Sequence, residues 1–475
     1  MKATNPTRPT PAERISFPAL LAVQLGVTIV TLDISLTSTA LPAVATGIGA
    51  SAASTIWIVN GYYGAVVAAL LPLAALGEIH GHRRIFFAGL LVFALGSLAC
   101  GFAASLPALT CARAVVGIGA AAVSATTPAL IRTLYPPSQL GRGLGFYALV
   151  VGVAFSVGPT VASAILSVLS WPWLFLMNVP LALATVALAL RALPATERNV
   201  RPFDGLSAAL CAGLFASLLF GIAGISHQAG WQPVALALGA SAACGYGLLR
   251  REAGHPAPIL AVDLFRIPVF ALSSATSICA FTIQGLAFVV LPFLLHFRLG
   301  YSQVEAGFLI TPWPATLVLM TMVAAPLSDR IQPGLLGTMG LGIVTLGLVA
   351  LALLPAQPSV LDIAWRLMLC GVGFSFFQSP NMRAIMSSAP RERSGGASGI
   401  LAASRLIGQS LGAAAVAICL SVSPERGIDA AIWIGAAMGA LGSGISVLRV
   451  LPRIATTTHG HGLKAAAPST PGHAL

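Results

Sequence analysis

Residues 17–41 read FPALLAVQLGVTIVTLDISLTSTAL, an apolar run in which Asp33 is the single charged side chain. A continuous run of about 17 or more apolar residues is typical of a transmembrane helix, because about 20 residues at about 1.5 Å each cross the hydrocarbon core. The stretch therefore predicts a spanning helix. It places Asp33 roughly 24 Å from the start of that helix, in the hydrocarbon region and beyond the midplane.

Similar runs recur along almost the whole chain. Only 8% of the residues are charged, whereas soluble domains carry about 25%. Because the runs are continuous rather than alternating, they exclude a transmembrane β-barrel. The sequence predicts an all-α polytopic membrane protein with fourteen transmembrane helices, at 17–41, 54–76, 85–104, 108–131, 144–169, 173–193, 205–225, 233–249, 270–295, 305–327, 334–354, 362–386, 398–421 and 430–450.

The 25 lysines and arginines are distributed unevenly among the loops. With a cytoplasmic N-terminus, nineteen of them lie on the cytoplasmic side, two outside and four within the predicted helices. This positive-inside bias predicts a multi-pass protein with both termini in the cytoplasm. Arg outnumbers Lys 23 to 2, and Ala and Gly are abundant, which indicates a GC-rich bacterial source and hence the plasma (inner) membrane. The net charge of +12 thus reflects the basic cytoplasmic loops of a protein in the lipid bilayer, and we expect no nucleic-acid partner.

Three features of the first six predicted helices recur 250–253 residues later. Each feature alone is weak, but three in the same order indicate an internal repeat. The repeat relates helices 1–6 to helices 9–14 and leaves helices 7 and 8 as an insertion. The paired positions are Pro42 and Pro292, Glu78 and Asp329, and Arg113 and Arg366.

The repeat predicts four parts of the chain. Residues 1–193 form a six-helix bundle with a cytoplasmic N-terminal tail, and residues 194–269 form a linker with the two inserted helices. Residues 270–451 form the second six-helix bundle, and residues 452–475 form a disordered cytoplasmic tail. Two parallel six-helix repeats around a central cavity are the architecture of transporters that rock between inward-open and outward-open states.

A carboxylate at the depth of Asp33 costs about 2.5–3.5 kcal/mol on insertion scales, unless it takes up a proton. A group that exchanges charge for a proton inside the membrane suits proton coupling or substrate binding. The alternative is a structural hydrogen bond to a Ser or Thr of a neighbouring helix.

Two arginines lie inside predicted helices at repeated positions. Arg113 lies about a turn and a half inside the fourth helix and needs either a partner or a cavity. It is interpreted as a proton-relay or gating residue, with snorkelling to the outer interface as the alternative. Arg366 has the same two interpretations, and Asp362, one turn away, is a simple ion-pair partner for it.

The loop after the second helix combines an acid at a helix end, turn glycines and a basic cluster. This pattern indicates a charged latch that holds neighbouring helices in one conformation, and its partial repeat in the second half supports that interpretation. The alternative is a turn anchored by the positive-inside charges. The latch residues are Gly77, Glu78, Gly81, Arg83, Arg84, Asp329 and Arg330.

The fifth helix carries Gly152, Gly158 and Pro159. Small residues allow close helix packing, and a Gly-Pro pair can kink a membrane helix. Generic tight packing is the alternative. Other polar or aromatic side chains within spans are candidates for lining a cavity, although each could instead serve packing: Asn60, Tyr63, Gln284, Trp313, Gln378, Arg405 and Gln409.

Catalytic and metal-binding patterns are weak in this sequence. The spans contain no nucleophile–base pair and no metal-spaced cluster, so we expect no enzyme activity, no cofactor and no metal. The tail pair His459 and His461 could bind metal, but such an isolated pair is usually without function. All seven cysteines fall within predicted spans, which leaves no disulfide pair outside the membrane.

Several of these motifs together resemble those of the major facilitator superfamily, in its 14-helix drug:proton antiporter branch. The resemblance covers roughly residues 17–450. Its motifs are the acidic signature from Leu32 to Pro42, the loop from Leu76 to Arg84, helix 4 with Arg113, Gly117 and Gly119, helix 5 with Gly152, Gly158 and Pro159, and the stretch Trp171–Pro180, which includes Asn178.

The resemblance implies export of amphiphilic, often cationic molecules in exchange for protons, by a protein that we expect to be a monomer. It assigns Asp33 as the proton and substrate carboxylate and Arg113 as the coupling arginine. A single deep acid favours mono-cations, neutral amphiphiles or an organic acid as substrate. Two alternatives remain: a proton-coupled metabolite or organic-acid transporter with the same fold, and a non-transporting membrane sensor.

Overall fold

A computed structural model describes residues 16–136, 140–195, 204–226, 230–252, 262–328, 330–355, 357–390 and 394–450. Fourteen helices in these ranges are long and apolar enough to cross a membrane, and no described residue lies in a β-strand. In chain order they are α1 Phe17–Ile48, α2 Ala52–His80, α3 His82–Gly101, α4 Leu106–Leu134, α5 Leu140–Val168, α6 Trp173–Ala192, α7 Gly205–Ser226, α8 Trp231–Glu252, α9 Pro268–Arg298, α10 Gln303–Ile310 continued by Pro312–Leu327, α11 Pro333–Ala352, α12 Val360–Ser388, α13 Ser394–Val422 and α14 Pro424–Leu448.

Helix α1 is longer than the sequence predicts. It continues past Pro42 to Ile48, and Gly49 ends it in the left-handed conformation with φ 71°. Prolines are tolerated within membrane helices, so the Leu-Pro pair that closes the predicted span is not a helix end. Asp33 therefore lies at the middle of the 32-residue helix, and its depth in the membrane stays a prediction.

Consecutive helices cross in opposite directions, which defines two faces of the molecule. The first face is the one where α1 begins, and the second face is the one where it ends. Five of the helices that begin at the second face have a serine N-cap, whose hydroxyl accepts a hydrogen bond from a free N–H of the first turn. These serines are Ser51, Ser105, Ser302, Ser359 and Ser423.

The helices pack as two six-helix bundles with the same internal contacts. In the first bundle α1 packs on α5 and α6, while α4 packs on α2 and α3. In the second bundle α9 packs on α13 and α14, while α12 packs on α10 and α11. A shift of eight helices converts one pattern into the other. The predicted fold class is confirmed, and the residue boundaries of the four parts stay a prediction.

The two bundles meet along three helix pairs, α1 with α9, α2 with α13 and α5 with α10. The repeat relates α2 to α10 and α5 to α13, so the pair α2–α13 corresponds to the pair α10–α5. This is expected for a pseudo-twofold axis between the bundles. The inserted hairpin α7–α8 breaks this symmetry, because α7 packs on α2 and α13 and covers that junction. Arg251, at the end of α8, donates two hydrogen bonds of 3.1 Å to Asp204, just before α7. These bonds lower the pKa of the Asp204 carboxyl.

Candidate functional site

The carboxylate of Asp33 lies inside the first bundle, where it meets α4 and α6. Its Oδ2 accepts a hydrogen bond of 2.7 Å from Nη1 of Arg113. Its Oδ1 accepts one of 2.8 Å from Nδ2 of Asn178. The three residues are 1%, 0% and 0% exposed, so this cluster is fully enclosed by protein.

Local structure brings both partners to Asp33. Arg113 lies two turns into α4, which begins after the serine cap at Ser105. Helix α6 is interrupted at Met177, and Asn178 is the first residue of its longer segment. The interruption places a polar amide at the depth where α1 carries its carboxylate.

Aromatic rings enclose the guanidinium of Arg113. Its Cζ lies 4.6 Å from the centroid of the Tyr62 ring on α2 and 5.5 Å from that of Phe175 on α6. Aromatic faces attract a cation at these distances, and the attraction is stronger where water is excluded. Side chains of α2 and α6 therefore enclose the ion pair within the first bundle.

These contacts exclude snorkelling for Arg113 and a structural hydrogen bond to a neighbouring Ser or Thr for Asp33. Arg113 does not snorkel to an interface, because it is buried and its charge is compensated by Asp33. The carboxylate of Asp33 bonds to an arginine and an amide rather than to a Ser or Thr of a neighbouring helix. Thr37 bonds only to the main-chain oxygen of Asp33.

The cluster contains polar atoms without hydrogen-bond partners in the described part of the chain. They are Nε and Nη2 of Arg113 and Oδ1 of Asn178. A buried polar group left unpaired costs about 1–3 kcal/mol. One carboxylate thus compensates a whole buried guanidinium, and a proton on that carboxylate would remove the compensation.

The second bundle has no equivalent of this long-range pair at the repeated position. Arg366 on α12 forms an ion pair with Asp362, four residues earlier on the same helix, and also donates 2.7 Å to its carbonyl oxygen. The predicted partner is confirmed. This pair is local and partly exposed, so it does not join α12 to another helix.

The residues predicted to line a cavity are distributed over both bundles. Gln409 on α13 donates 3.0 Å to Gln284 on α9, and both are buried. Trp313 on α10 is fully buried, its Nε1 has no partner among the described residues, and its ring lies 5.8 Å from Phe288. Phe288 in turn lies 4.7 Å from Phe155 on α5, which joins the two bundles through aromatic contact.

The remaining predicted residues lie on α2, α12 and α13. Asn60 and Tyr63 are buried on α2, and neither side-chain polar atom of Asn60 has a partner in the described ranges. Arg405 on α13 is half-buried and lies near Tyr62 and Tyr63 of α2. These three residues lie where α2 packs on α13. Gln378 is half-buried on α12.

Helix α5 packs on α1 of its own bundle and on α10 of the second bundle. A Cβ atom at Gly158 would overlap the side chain of Ser35, and one at Gly152 would lie 3.3 Å from Val318. Pro159 contributes a carbonyl oxygen that faces Gly307 of α10. The small residues of the motif therefore mark close contacts.

Two hydrogen bonds cross between the bundles beside this motif. Ser156 donates 2.8 Å to the carbonyl oxygen of Pro314, and the hydroxyls of Thr160 and Thr311 are 2.9 Å apart. All four residues belong to α5 and α10 or to the break within α10. Contact across this junction is therefore polar as well as close.

The predicted latch residues are only partly in contact. Gly81 has φ 97°, a conformation that favours glycine, and it forms the turn between α2 and α3. Arg83 donates 2.9 Å to the carbonyl oxygen of Leu190 at the end of α6. Glu78 is exposed and forms no ion pair with another described residue.

The other latch residues add less. Gly77 packs so closely that a Cβ would lie 2.6 Å from Nδ1 of His82, while Arg84 and Arg330 are exposed. Asp329 lies outside the described residues, as do His459 and His461. The latch thus stays a prediction.

Two buried polar residues were not predicted from the sequence. Asn178 was only part of a motif, although a lone amide inside a span is itself a signal for a buried partner. Arg449 is one of the nineteen charges predicted on the cytoplasmic side, yet it is 8% exposed and donates to Ser273 and Asn381 at 3.0 and 2.6 Å. Its place directly after a helix end gave no signal of burial.

Comparisons with known proteins agree with this architecture. The profile of the Major Facilitator Superfamily matches residues 24–413. The "Uncharacterized transporter YebQ" of Escherichia coli (strain K12) is 44% identical, over 91% of this chain and 95% of its own length. The "Multidrug resistance protein Stp" of Mycobacterium tuberculosis is 29% identical, over 87% and 78%.

Two further proteins extend the comparison. The "Riboflavin transporter RibZ" of Clostridioides difficile is 28% identical, over 83% of this chain and 86% of its own length. A crystal structure of a POT family transporter in complex with a thioalcohol-conjugated peptide superposes with a TM-score of 0.72, at 12% identity, over 92% and 96%. At that identity the structural likeness concerns the fold alone. The family match over most of the chain and the two bundles lead to the same conclusion: this multi-pass membrane protein belongs to the major facilitator superfamily of transporters.

Proposed function

We propose that the chain is a proton-coupled exporter of amphiphilic small molecules, cationic or neutral, that works by alternating access. The observation that carries the proposal is the buried contact between Asp33 and Arg113 in the first bundle. It joins a group that can bind a proton to the helices that pack around it. No second carboxylate contacts Arg113 within the described residues.

The cycle follows from the charge of Asp33. With Asp33 deprotonated, the ion pair holds α1 and α4 together while the substrate binds from the cytoplasm or the inner leaflet. Outward rocking of the bundles releases the substrate. A proton from the acidic outside then neutralises Asp33 and weakens its hold on Arg113, which shifts the population toward the returning conformation.

Because the Asp33–Arg113 pair is buried, we propose that the substrate binds at a different site from the proton. Tyr62 and Phe175 separate Arg113 from its surroundings, so a substrate would act on the pair through these rings rather than by direct contact. Residues at the junctions of the bundles, such as Arg405, Gln284 and Trp313, are the proposed substrate contacts. The resemblance had assigned both roles to Asp33, and we propose the proton role for it.

The proposal includes the orientation of the molecule in the membrane. The first face is cytoplasmic, which places both termini in the cytoplasm of a bacterial cell, in keeping with the positive-inside distribution. The protein acts as a monomer, since each monomer contains both bundles and the junctions between them.

The experiment is ethidium transport in everted membrane vesicles that contain the full-length chain. We expect accumulation driven by the proton gradient, abolished by a protonophore and lost in Asp33→Asn. Asp204→Asn is the matched control, because it removes the same charge from the exposed ion pair outside the spans. Equal transport by wild type and Asp33→Asn would contradict the proposal.

A metabolite transporter is the second candidate, and the likeness to a protein named as a riboflavin transporter favours it. It predicts proton-dependent flux of riboflavin or an organic acid and no ethidium transport. The same vesicles, loaded with radiolabelled metabolite, separate the two candidates. Loss of flux in Asp33→Asn is expected in either case.

A further inference from the structure

Asn178 presents both sides of its amide to the buried cluster, but only one side has a partner. Nδ2 donates 2.8 Å to Oδ1 of Asp33. The amide oxygen Oδ1 has no hydrogen-bond partner in the described structure, although the residue is 0% exposed. Buried amide oxygens are nearly always paired, so this one calls for an explanation.

The charge of Asp33 explains the present orientation. An ionised carboxylate only accepts hydrogen bonds, so the amide must offer its NH2 group. A protonated carboxyl has one O–H donor and needs an acceptor. Asn178 can provide that acceptor. Its amide oxygen is unpaired, and its Nδ2 already donates to the Asp33 carboxylate.

We propose that Asn178 is a positioning residue that binds Asp33 in both protonation states, donating through Nδ2 to the carboxylate and accepting through its amide oxygen from the neutral acid. The proposal rests on the proposed function, because it assumes that Asp33 takes up the transported proton. The step transfers the transported proton from a hydronium ion of the outside solution to an oxygen of Asp33, so one O–H bond breaks in the hydronium, which leaves as water, and one forms on the carboxyl. The Asn178 amide then makes a half-turn about its Cβ–Cγ bond.

The other titratable groups near Asp33 do not provide this acceptor. Arg113 has only donors. Tyr62 and Cys100 lie near Asp33, and Arg405 and Tyr63 lie near Tyr62. No hydroxyl or thiol of the described residues hydrogen-bonds to the Asp33 carboxylate. Asn178 is therefore the neutral contact that can serve either state.

Without such a partner, proton uptake would leave the new O–H group of Asp33 buried and unpaired. The amide removes that penalty, so Asp33 can alternate between states while remaining in place. Its loss affects the carboxylate more than the acid, because hydrogen bonds to an ionised acceptor are about twice as strong as neutral ones. A variant without the amide should therefore shift the pH dependence of efflux upward.

The test combines infrared spectroscopy and transport on the purified full-length protein in liposomes. Difference spectra between alkaline and acidic buffer report the carbonyl stretch of a protonated carboxyl, and Asp33→Asn identifies the band of Asp33. In Asn178→Leu we expect the band at higher frequency, as for a carboxyl without a hydrogen-bond acceptor. We also expect the pH midpoint of substrate efflux to move up by about one unit.

Two variants control for packing. Asn178→Thr keeps a hydroxyl that donates and accepts, and it should return the band and the midpoint part of the way to wild type. Thr185→Val removes a buried hydrogen bond from the same helix, to the carbonyl oxygen of Leu181, and should change neither.

The outcomes separate this inference from the proposed function. An Asp33 band that Asn178→Leu leaves in place, with an unchanged midpoint, would overturn the role of Asn178 and leave proton coupling intact. Absence of any pH-dependent band that Asp33→Asn removes would overturn both. If Asn178→Leu does not fold, the comparison of Asn178→Thr with Thr185→Val decides, since only the former should shift the band.

Discussion

Nη1 of Arg113 lies 2.7 Å from Oδ2 of Asp33, and the two residues are eighty positions apart in the chain. The contact joins the middle of α1 to the start of α4 in a space from which water is excluded. In such a place an ion pair is a poor source of stability, because desolvation of both charges offsets most of their attraction. Its value lies in the state that follows when one charge is removed.

Removal of Asp33 alone should destabilise the protein strongly. Asp33→Leu leaves Arg113 buried without a counter-charge, which costs about 3–5 kcal/mol. The double variant Asp33→Leu with Arg113→Met removes both charges, and we expect it to recover most of that loss. The measurement is the free energy of unfolding in detergent, followed by denaturant titration.

The ion pair between Asp362 and Arg366 serves as the control for this prediction. Asp362→Leu breaks the ion pair with Arg366, which is local and partly exposed, and it should cost about 1 kcal/mol or less. The interpretation fails if the double variant is as unstable as Asp33→Leu, since the loss would then come from packing rather than from the lone charge.

The close approach of α5 to α1 makes a second prediction. Gly158→Ala places a methyl group against Ser35, and overpacking of this kind costs about 1–3 kcal/mol. We expect lower stability and slower transport, with recovery in the double variant Gly158→Ala with Ser35→Gly. Thermal unfolding and vesicle efflux measure the two effects.

The control here is another glycine of a spanning helix. Gly444 on α14 has open space where its Cβ would lie, so Gly444→Ala should be neutral. If Gly158→Ala also unfolds and transports like wild type, helix α5 must shift without penalty and the close contact has no functional weight.

The sequence was sufficient to predict the fourteen helices and the repeat, because membrane helices are specified by local composition. It also pointed to Asp33 and Arg113, because charges inside a span are costly and so need a reason. It could not pair them: a single chain shows spacing along each helix, but rotation and packing decide which side chains meet. Arg449 illustrates the same limit, since a position just past a helix end looks exposed until Ser273 and Asn381 are brought against it.

The α5–α10 junction should open during transport. The hydroxyls of Thr160 and Thr311 are 2.9 Å apart, so cysteines at both positions are close enough to be cross-linked by a short bifunctional reagent. We expect cross-linking of Thr160→Cys with Thr311→Cys to stop efflux, with recovery after cleavage of the linker. Each single variant under the same treatment is the control, and uninterrupted transport by the cross-linked protein would show that this junction does not move.

Arg405 should be needed for transport but not for folding. It is half-buried at the α2–α13 junction and has no ion pair with any other described residue, so its removal leaves no buried acid behind. It lies near Tyr62, whose ring also lies against Arg113, so it can influence both the substrate region and the proton site. We expect Arg405→Gln to lose at least about tenfold in efflux rate, equivalent to about 1.4 kcal/mol, while the unfolding temperature changes little.

Arg250→Gln, on the exposed end of the inserted hairpin, removes the same charge and should transport normally. Equal efflux by the two variants would place the substrate elsewhere, and a large loss of stability in Arg405→Gln would make this arginine a structural residue of α13.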